Sequence, residues 1–421
     1  MSEATIYRYI KPETSPRQNP EKFIEGALKF IKEHLNTEDR VQILLSGGVD
    51  SVVTAALLDL EIGNRLYVTH IDTGFMRIIG GQEEPQIIAE KFSGFKNLKV
   101  VNARDLFYGH VMNMPDAEEK RLGFRRAYEI TTDQQMTESQ CNVLAQGTIL
   151  PDIIETEGGV KSQHNVFLKF SKVKKIVEPV AGLCKDEVRR VAKALWENHK
   201  LKALEGNWLR QPFPGPGLSV RTVGAITPEK LGIEKRANDI VESKVDEHSL
   251  KKHGVILYID AVTGEQIPFQ SFAATFDDKL LNTPPEVAKM AKEKAGQENL
   301  TCNILDIKVT GVRDGKRIYS QPLCIESPTE LDYPTLKKLG SELPDETQLS
   351  RVLYKISSKE GSQGYLIAIR TVNSIDAMKA WVNELPFDTL RSIADEVVEK
   401  CGVKSVYLDI SPKPPATIEY E

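Results

Sequence analysis

Residues Leu44–Ser51 read LLSGGVDS. Upstream, VQILL (Val41–Leu45) has the continuous aliphatic character of a buried parallel strand. Downstream, VVTAALLDL (Val52–Leu60) resumes at helical spacing, so the two glycines fall in a turn between a strand and a helix N-terminus. Such a turn is an anion seat: Gly47 and Gly48 bend without a Cβ penalty, Ser46 and Ser51 offer hydroxyls, and the first N–H groups of the helix point at whatever negative group lies there. The turn lacks the lysine and the spacing of G-x-x-x-x-G-K-[ST], the loop that serves enzymes moving the γ-phosphate. Its pattern argues against kinase-type chemistry.

Outward from that turn, strand and helix patterns alternate. EKFIEGALKFIKEHL (Glu21–Leu35) carries apolar residues at three- and four-residue spacing and predicts an amphipathic helix. RLYVTHID (Arg65–Asp72), LKVVNA (Leu98–Ala103) and NVLAQGT (Asn142–Thr148) predict strands, with helical patterns at Val52–Leu60, Gln82–Phe92 and Glu118–Gln135. This order predicts an α/β, doubly wound parallel sheet, whose ligands bind beyond the carboxyl ends of the strands. The Ser46 turn, the DTG after Ile71 and the GT after Gln146 all fall at that edge. Asp72 and Gly74 are candidates for placing adenine and ribose, with an ordinary turn as the alternative; Gly147 joins them. Five lysines (Lys161, Lys169, Lys172, Lys174, Lys175) surround two short apolar pieces and read either as a basic lid over phosphates or as a solvated loop.

The 421 residues exceed one ordinary core and predict two or three domains. A hydrophobic content of 40%, a charged content of 27% and a net charge of -5 describe a globular chain with no global basic footprint, so no nucleic-acid partner is expected. No stretch approaches the ~18 apolar residues of a membrane span and the first 20 residues have no apolar signal core, which predicts no membrane partner and a cytoplasmic location. Five cysteines (Cys141, Cys184, Cys302, Cys324, Cys401) lie far apart without a C-x-x-C pair, as in a reducing compartment.

The expected organisation is a polar tail over 1–20, a nucleotide domain over 21–220 and a second domain over 221–421. RQPFPGPGL (Arg210–Leu218) holds three prolines and two glycines and reads as a stiff connector. Residues 225–299 are polar, rich in lysine and glutamate and poor in strand signals. Beyond them the chain is a candidate internal repeat, 305–356 and 361–410, each copy a strand pair plus a helix ending in ELP (Glu342–Pro344 and Glu384–Pro386), with chance similarity as the alternative.

SGGVDS resembles the pyrophosphate loop of the N-type ATP pyrophosphatases. PFPGPGL, the closing SPKPPATIEYE (Ser411–Glu421), and QGTILPDIIE, VKSQHNV, VEP and CKDEVR in that order narrow the resemblance to the GMP synthase family. The resemblance covers the ATP-pyrophosphatase and C-terminal dimerisation domains, most of the chain. It implies an adenine nucleotide alpha hydrolase-like sheet followed by an α+β dimerisation domain. It also implies a ligase reaction in which XMP, ATP and ammonia give GMP, AMP and pyrophosphate, with ATP and Mg²⁺ as cofactors.

Carried over residue by residue, Ser46, Gly47, Gly48, Val49, Asp50 and Ser51 would bind the ATP phosphates. Asp50 and Asp152 would hold Mg²⁺, Asp50 having helix capping as its alternative. Lys161 and Lys185 would neutralise departing charge. Arg121, Gln363, Arg370, Lys413, Ile418 and Glu419 would contact XMP. The family's C-terminal module implies a homodimer. No G-x-C-x-G nucleophile elbow is present, so ammonia would come from a separate glutaminase subunit or from solution.

The chain departs from the family pattern at Val52, where a second serine is usual, at Arg125, at Asp314–Gly315, where the order is usually reversed, and at Lys379 within Asp376–Ala380. These departures leave two alternatives: an adenylating enzyme with another acceptor, or a catalytically silent homologue that serves as a scaffold.

Overall fold

The computed structural model describes residues 4–157, 173–254, 258–259, 266–267, 269–360, 364–375 and 378–421. The chain forms two compact units. The first comprises 1–76, 82–110 and 122–215; the second comprises 77–81, 111–121 and 216–421. The second unit therefore takes two short segments from within the span expected for the nucleotide domain.

The first unit is built on six parallel strands: β1 (Thr5–Arg8), β2 (Val41–Leu44), β3 (Leu66–Asp72), β4 (Leu98–Asn102), β5 (Val143–Ala145) and β6 (Lys175–Glu178), in spatial order β1-β6-β5-β2-β3-β4. Helices α1 (Pro20–His34), α2 (Val49–Ile62) and α7 (Lys185–His199) pack apolar residues into the same core as Val41, Ile43, Val68 and Val143. Between β2 and α7 the chain also forms α3 (Glu84–Lys91), α4 (Arg104–Val111), α5 (Ala117–Ser139) and α6 (Leu150–Glu157). The chain runs outward from β2 to β3 and β4, then returns to the other side of β2 with β5. This reversal places the topological switch point at the carboxyl end of β2, where the crevice of a doubly wound sheet opens.

One expectation for this unit gives way. Residues 5–8 are the edge strand β1, in register with β6 from Thr5↔Lys175 to Arg8↔Glu178, so the first 20 residues are not a tail. Tyr7 and Tyr9 pack against the core beneath, with Tyr9 stacked on Phe30, and that aromatic burial ties down a segment whose Ile6 and Ile10 are exposed.

The second unit centres on a mixed sheet. Its strands are β7 (Phe269–Asp277), β8 (Leu280–Asn282), β9 (Thr301–Leu305), β12 (Pro322–Glu326), β13 (Arg351–Ser358), β14 (Tyr365–Asn373) and β15 (Ser405–Asp409), in order β7-β14-β15-β13-β12-β9-β8. The hairpin β10 (Val309–Arg313) and β11 (Lys316–Ser320) stands apart from it. Helices α8 (Pro228–His253), α9 (Pro285–Ala295), α10 (Tyr333–Glu346) and α11 (Phe387–Cys401) supply the apolar cover.

Two β-α-β units share this sheet. β12-α10-β13 and β14-α11-β15 each return to a parallel neighbour, and β13 and β15 meet antiparallel between them. The ELP echoes do not mark equivalent positions. Glu342–Pro344 lies inside α10, which runs on to Glu346, whereas Pro386 is the N-cap of α11, a helix start that proline suits. The stretch 225–299, without a clear pattern in sequence, contains α8 and the strand β7.

Alternation along the strands decides what each face carries. Val352, Tyr354, Ile367, Ile369, Val406 and Leu408 face the helices, while Leu353, Leu366, Ala368 and Tyr407 face the opposite side with Phe272, Phe276 and Tyr420. The same parity puts Arg351, Arg370 and Asp409 on the face that the C-terminal tail covers.

Candidate active site

At the end of β2 the backbone reverses at Gly47 (φ +79°), and α2 begins one residue later from an N-cap at Gly48 that has no side-chain cap. The first N–H groups of α2 are therefore left for an external acceptor. Ser46 Oγ accepts from the Gly48 N–H at 3.3 Å and lies 3.0 Å from Ser51 Oγ, which itself donates to the Gly48 carbonyl at 3.0 Å. Val49 is buried and anchors the helix start in the core. Gly147, just past β5, comes so close to the turn that a Cβ there would stand 2.9 Å from the Asp50 carbonyl carbon and the Ser51 nitrogen. The two strand ends flanking the switch point thus meet through a position that only glycine fits.

Asp50 is not a capping residue. Its Oδ2 accepts from Lys185 Nζ at 2.5 Å, and its Oδ1 is buried with no hydrogen-bond partner among the described residues. A buried carboxylate oxygen without a donor carries a desolvation cost that a cation would relieve. Lys185 opens α7, so the turn after β6 brings a cation to the turn after β2. Asp152, in the first turn of α6, accepts the Ile149 N–H at 3.2 Å. Among the described residues no cluster of three or more His, Cys, Asp or Glu side chains suits a metal ion.

Asp72 closes its own turn by accepting the Gly74 N–H at 3.0 Å and pairs with Arg104 at 2.8 Å. The turn reading of DTG is therefore realised, and Gly74 (φ +79°) has the Tyr108 phenol against it. Beneath the loop, His70 Nδ1 lies 2.7 Å from the Leu45 carbonyl, which identifies it as the N–H donor; burial pushes its pKa below the ordinary value. Lys161 and Gln363, together with Lys169 and Lys172, lie outside the described residues. Lys175 lies in β6 and pairs with Asp39 at 2.7 Å, so it is part of the sheet.

The second unit assembles its candidates around the tail 411–421. Arg351 and Arg370, both fully buried, converge on Asp409 at 2.8 and 3.2 Å, and the Arg351 guanidinium lies 4.1 Å from the Tyr420 ring centre. Burial would raise the Asp409 pKa, but the two guanidiniums hold it below the usual carboxylate range. Arg370 donates to the Ser411 and Thr417 carbonyls at 2.5 and 3.0 Å, and Arg351 to the Glu419 carbonyl at 2.5 Å. Arg370, expected to touch XMP, is thus engaged with the tail backbone and with Asp409. The strand β10 holds the same tail: Thr310 N–H donates to the Tyr420 carbonyl at 2.9 Å and Val312 N–H to the Pro415 carbonyl at 2.6 Å.

Glu419 receives both Arg221 Nε and Nη2 at 3.0 Å and the Gln270 amide at 2.9 Å. Ile418 is partly buried against the Phe272 cluster, and Lys413 exchanges backbone hydrogen bonds with Ala380. Arg121 lies with Tyr319 at 3.2 Å and Glu118 at 2.8 Å.

Lys120, one residue from Arg121, is buried, pairs with the Glu421 carboxylate and donates to the carbonyls of Thr222 and Gly224 at 3.1 and 2.9 Å. Burial pushes the Lys120 ammonium below and the Glu421 carboxyl above their ordinary ranges, and each partly reverses the shift of the other. Sequence reasoning missed Lys120, Arg221, Arg351 and Asp409. Only strand parity combined with the sheet order would have found the last two.

Over 409 residues the chain is 34% identical to a protein of Sulfurisphaera tokodaii named as a subunit of glutamine-hydrolyzing GMP synthase, with 96% of this chain and 99% of that protein covered. The chain belongs to this family of GMP synthase subunits. The protein of the same name from Methanocaldococcus jannaschii is 33% identical over 404 residues, covering 96% and 99%. The GMP synthase C terminal domain family is matched at residues 361–420. An NMN synthetase structure from Francisella tularensis overlaps 53% of this chain and 94% of its own at 12% identity and a TM-score of 0.34.

The cysteines add a chemical constraint. All five are free, and burial raises every thiol pKa, to about 11 at Cys302 and Cys401 and about 12 at Cys324. None has the lowered pKa of a nucleophilic thiolate.

Proposed function

We propose that the chain is the synthetase subunit of a two-subunit GMP synthase, adenylylating XMP with ATP and replacing the adenylyl group by ammonia. The observation that carries this reading is an uncapped glycine turn at the sheet's switch point, in a chain that matches GMP synthase subunits over 96% of its length. In the first step the XMP C2 oxygen forms a bond to the α-phosphorus of ATP and pyrophosphate leaves. In the second, ammonia forms the C2–N bond, AMP leaves with the former XMP oxygen, and protons pass to solvent.

The chain's own residues supply position and charge. The Ser46–Ser51 turn, with Val49 anchoring it and the α2 N–H groups behind it, holds the β- and γ-phosphates as they depart. Lys185 and Lys161 neutralise that charge. Asp50 Oδ1, buried and without a donor among the described residues, fits a hard divalent cation, and Asp152 is the second candidate ligand. When bound, Mg²⁺ supplies charge neutralisation on the phosphates. Asp72, Gly74 and Gly147 border the adenosine.

Arg121, Lys413 and Gln363 suit a purine nucleoside monophosphate. Ile418 and Glu419 present the tail to it, and Arg370 fixes the tail's course. Ammonia comes from a separate glutaminase subunit. That partner is supported by the relatives, each named as one subunit of a glutamine-hydrolyzing enzyme, and by the unactivated thiols of this chain. Homodimer assembly and work in the reducing cytoplasm belong to the same proposal.

The test is to incubate the purified chain with ATP, Mg²⁺, XMP and ammonium. GMP, AMP and pyrophosphate in equal amounts are expected, and glutamine without ammonium yields none. Pyrophosphate without GMP would assign another acceptor, and no pyrophosphate would leave a scaffold.

A further inference from the structure

The connector after α7 carries an arginine with an unassigned task. Arg210 Nη1 donates to the Gly47 carbonyl at 2.7 Å, and a second guanidinium nitrogen pairs with the carboxylate of Glu84, the first residue of α3, which is only 1% exposed. A Cβ on Gly47 would approach Nη1 to 2.6 Å, so the guanidinium lies directly on the turn.

A trans peptide points its C=O and the following N–H in opposite directions. With the Gly47 carbonyl held by Arg210, the Gly48 N–H is directed to the other side, where Ser46 Oγ lies 3.3 Å away. Gly47 at φ +79° has little intrinsic preference that would hold this orientation. Glu84, buried and paired, anchors the guanidinium that does.

We propose that Arg210, braced by Glu84, is a positioning residue for the phosphate loop, holding the Gly47–Gly48 peptide with its N–H on Ser46 Oγ so that the first N–H groups of α2 are presented to the pyrophosphate group. The inference rests on the adenylylation reading only for the identity of the anion. Lysine cannot replace arginine here, because one ammonium does not span both the carbonyl and the carboxylate with a rigid fork.

The experiment titrates magnesium pyrophosphate into the wild-type chain and the R210K, R210Q and E84Q variants by calorimetry, alongside KM for ATP and for XMP. The expected result is roughly tenfold or more weaker pyrophosphate binding in both Arg210 variants. KM for ATP should rise in step, E84Q should lie between, and KM for XMP should stay unchanged. A purely structural arginine would lower the unfolding midpoint and move both KM values together. Pyrophosphate binding by R210Q equal to that of the wild type would overturn the inference while leaving the reaction intact. Failure of the wild type to bind pyrophosphate would overturn the inference too. Wild-type binding without AMP formation would sink the reaction alone.

Discussion

The Ser46–Ser51 turn and the Ser411–Glu421 tail are both polar, but they are built by opposite means. The turn is main chain first: two glycines, two hydroxyls, an uncapped helix start and one carboxylate oxygen with no donor among the described residues. The tail is side chain first, held by Arg351, Arg370 and Asp409 at its root, Arg221 at Glu419 and Lys120 at Glu421, all buried. A site whose donors are left open suits an anion that arrives and departs. A site whose charges are already paired suits a fixed template.

Breaking the template should give the largest effect. Arg351→Met leaves Asp409 with one guanidinium in a fully buried site, and removing one partner of a buried pair costs about 3–5 kcal/mol. Denaturant unfolding should show that loss; a variant as stable as the wild type would mean the tail is not held this way.

The turn should behave differently. Asp50→Asn keeps the shape but removes the charge facing Lys185, and kcat should fall about 10²–10³-fold, as for removal of one electrostatic group from an active site, with the unfolding midpoint nearly unchanged. A matching loss of stability would erase the contrast between the two regions. Gly147→Ala sharpens it further. The added methyl meets backbone at 2.9 Å and should cost about 1–3 kcal/mol, with KM for ATP raised and KM for XMP unmoved in steady-state assays.

The smallest effect concerns pH. Burial lowers the His70 pKa beneath its ordinary 6.5, with Asp72 opposing and Arg210 reinforcing that shift. The neutral imidazole therefore supports the fold fully above about pH 6.5, and that support declines as pH falls and the unfolded chain takes up the proton first. The stability advantage of wild type over His70→Gln should shrink between about pH 7 and pH 5.5; a constant difference would remove His70 from the account.

The turn was legible because its residues are consecutive: an aliphatic strand, two glycines and a helix declare themselves within about twenty residues. The tail site was legible only in part. Lys413 and Glu419 stand in a contiguous motif, but Arg351 and Asp409 gain meaning only when β13 and β15 are neighbours and parity turns both toward the tail. The stretch before β7 hid its helix for another reason. Lys230, Glu234 and Lys235 occupy buried positions of α8, where charge obscures the apolar stripe a helix normally shows. Burial raises the Glu234 pKa well above the ordinary value, and its Oε2 accepts from Thr275 at 2.7 Å, so a residue that reads as solvated in sequence is a buried carboxyl of the core. The ELP echo misled because its proline lies inside one helix and caps the start of the other.

The central claim is that the adenylyl group passes to the C2 oxygen of XMP. XMP carrying ¹⁸O at C2, turned over with ATP and ammonium, tests it by mass spectrometry of the nucleotides. Label in the phosphate of AMP, one atom per GMP formed, is the predicted result; label released to water or found in orthophosphate, with ADP as the nucleotide product, would contradict it.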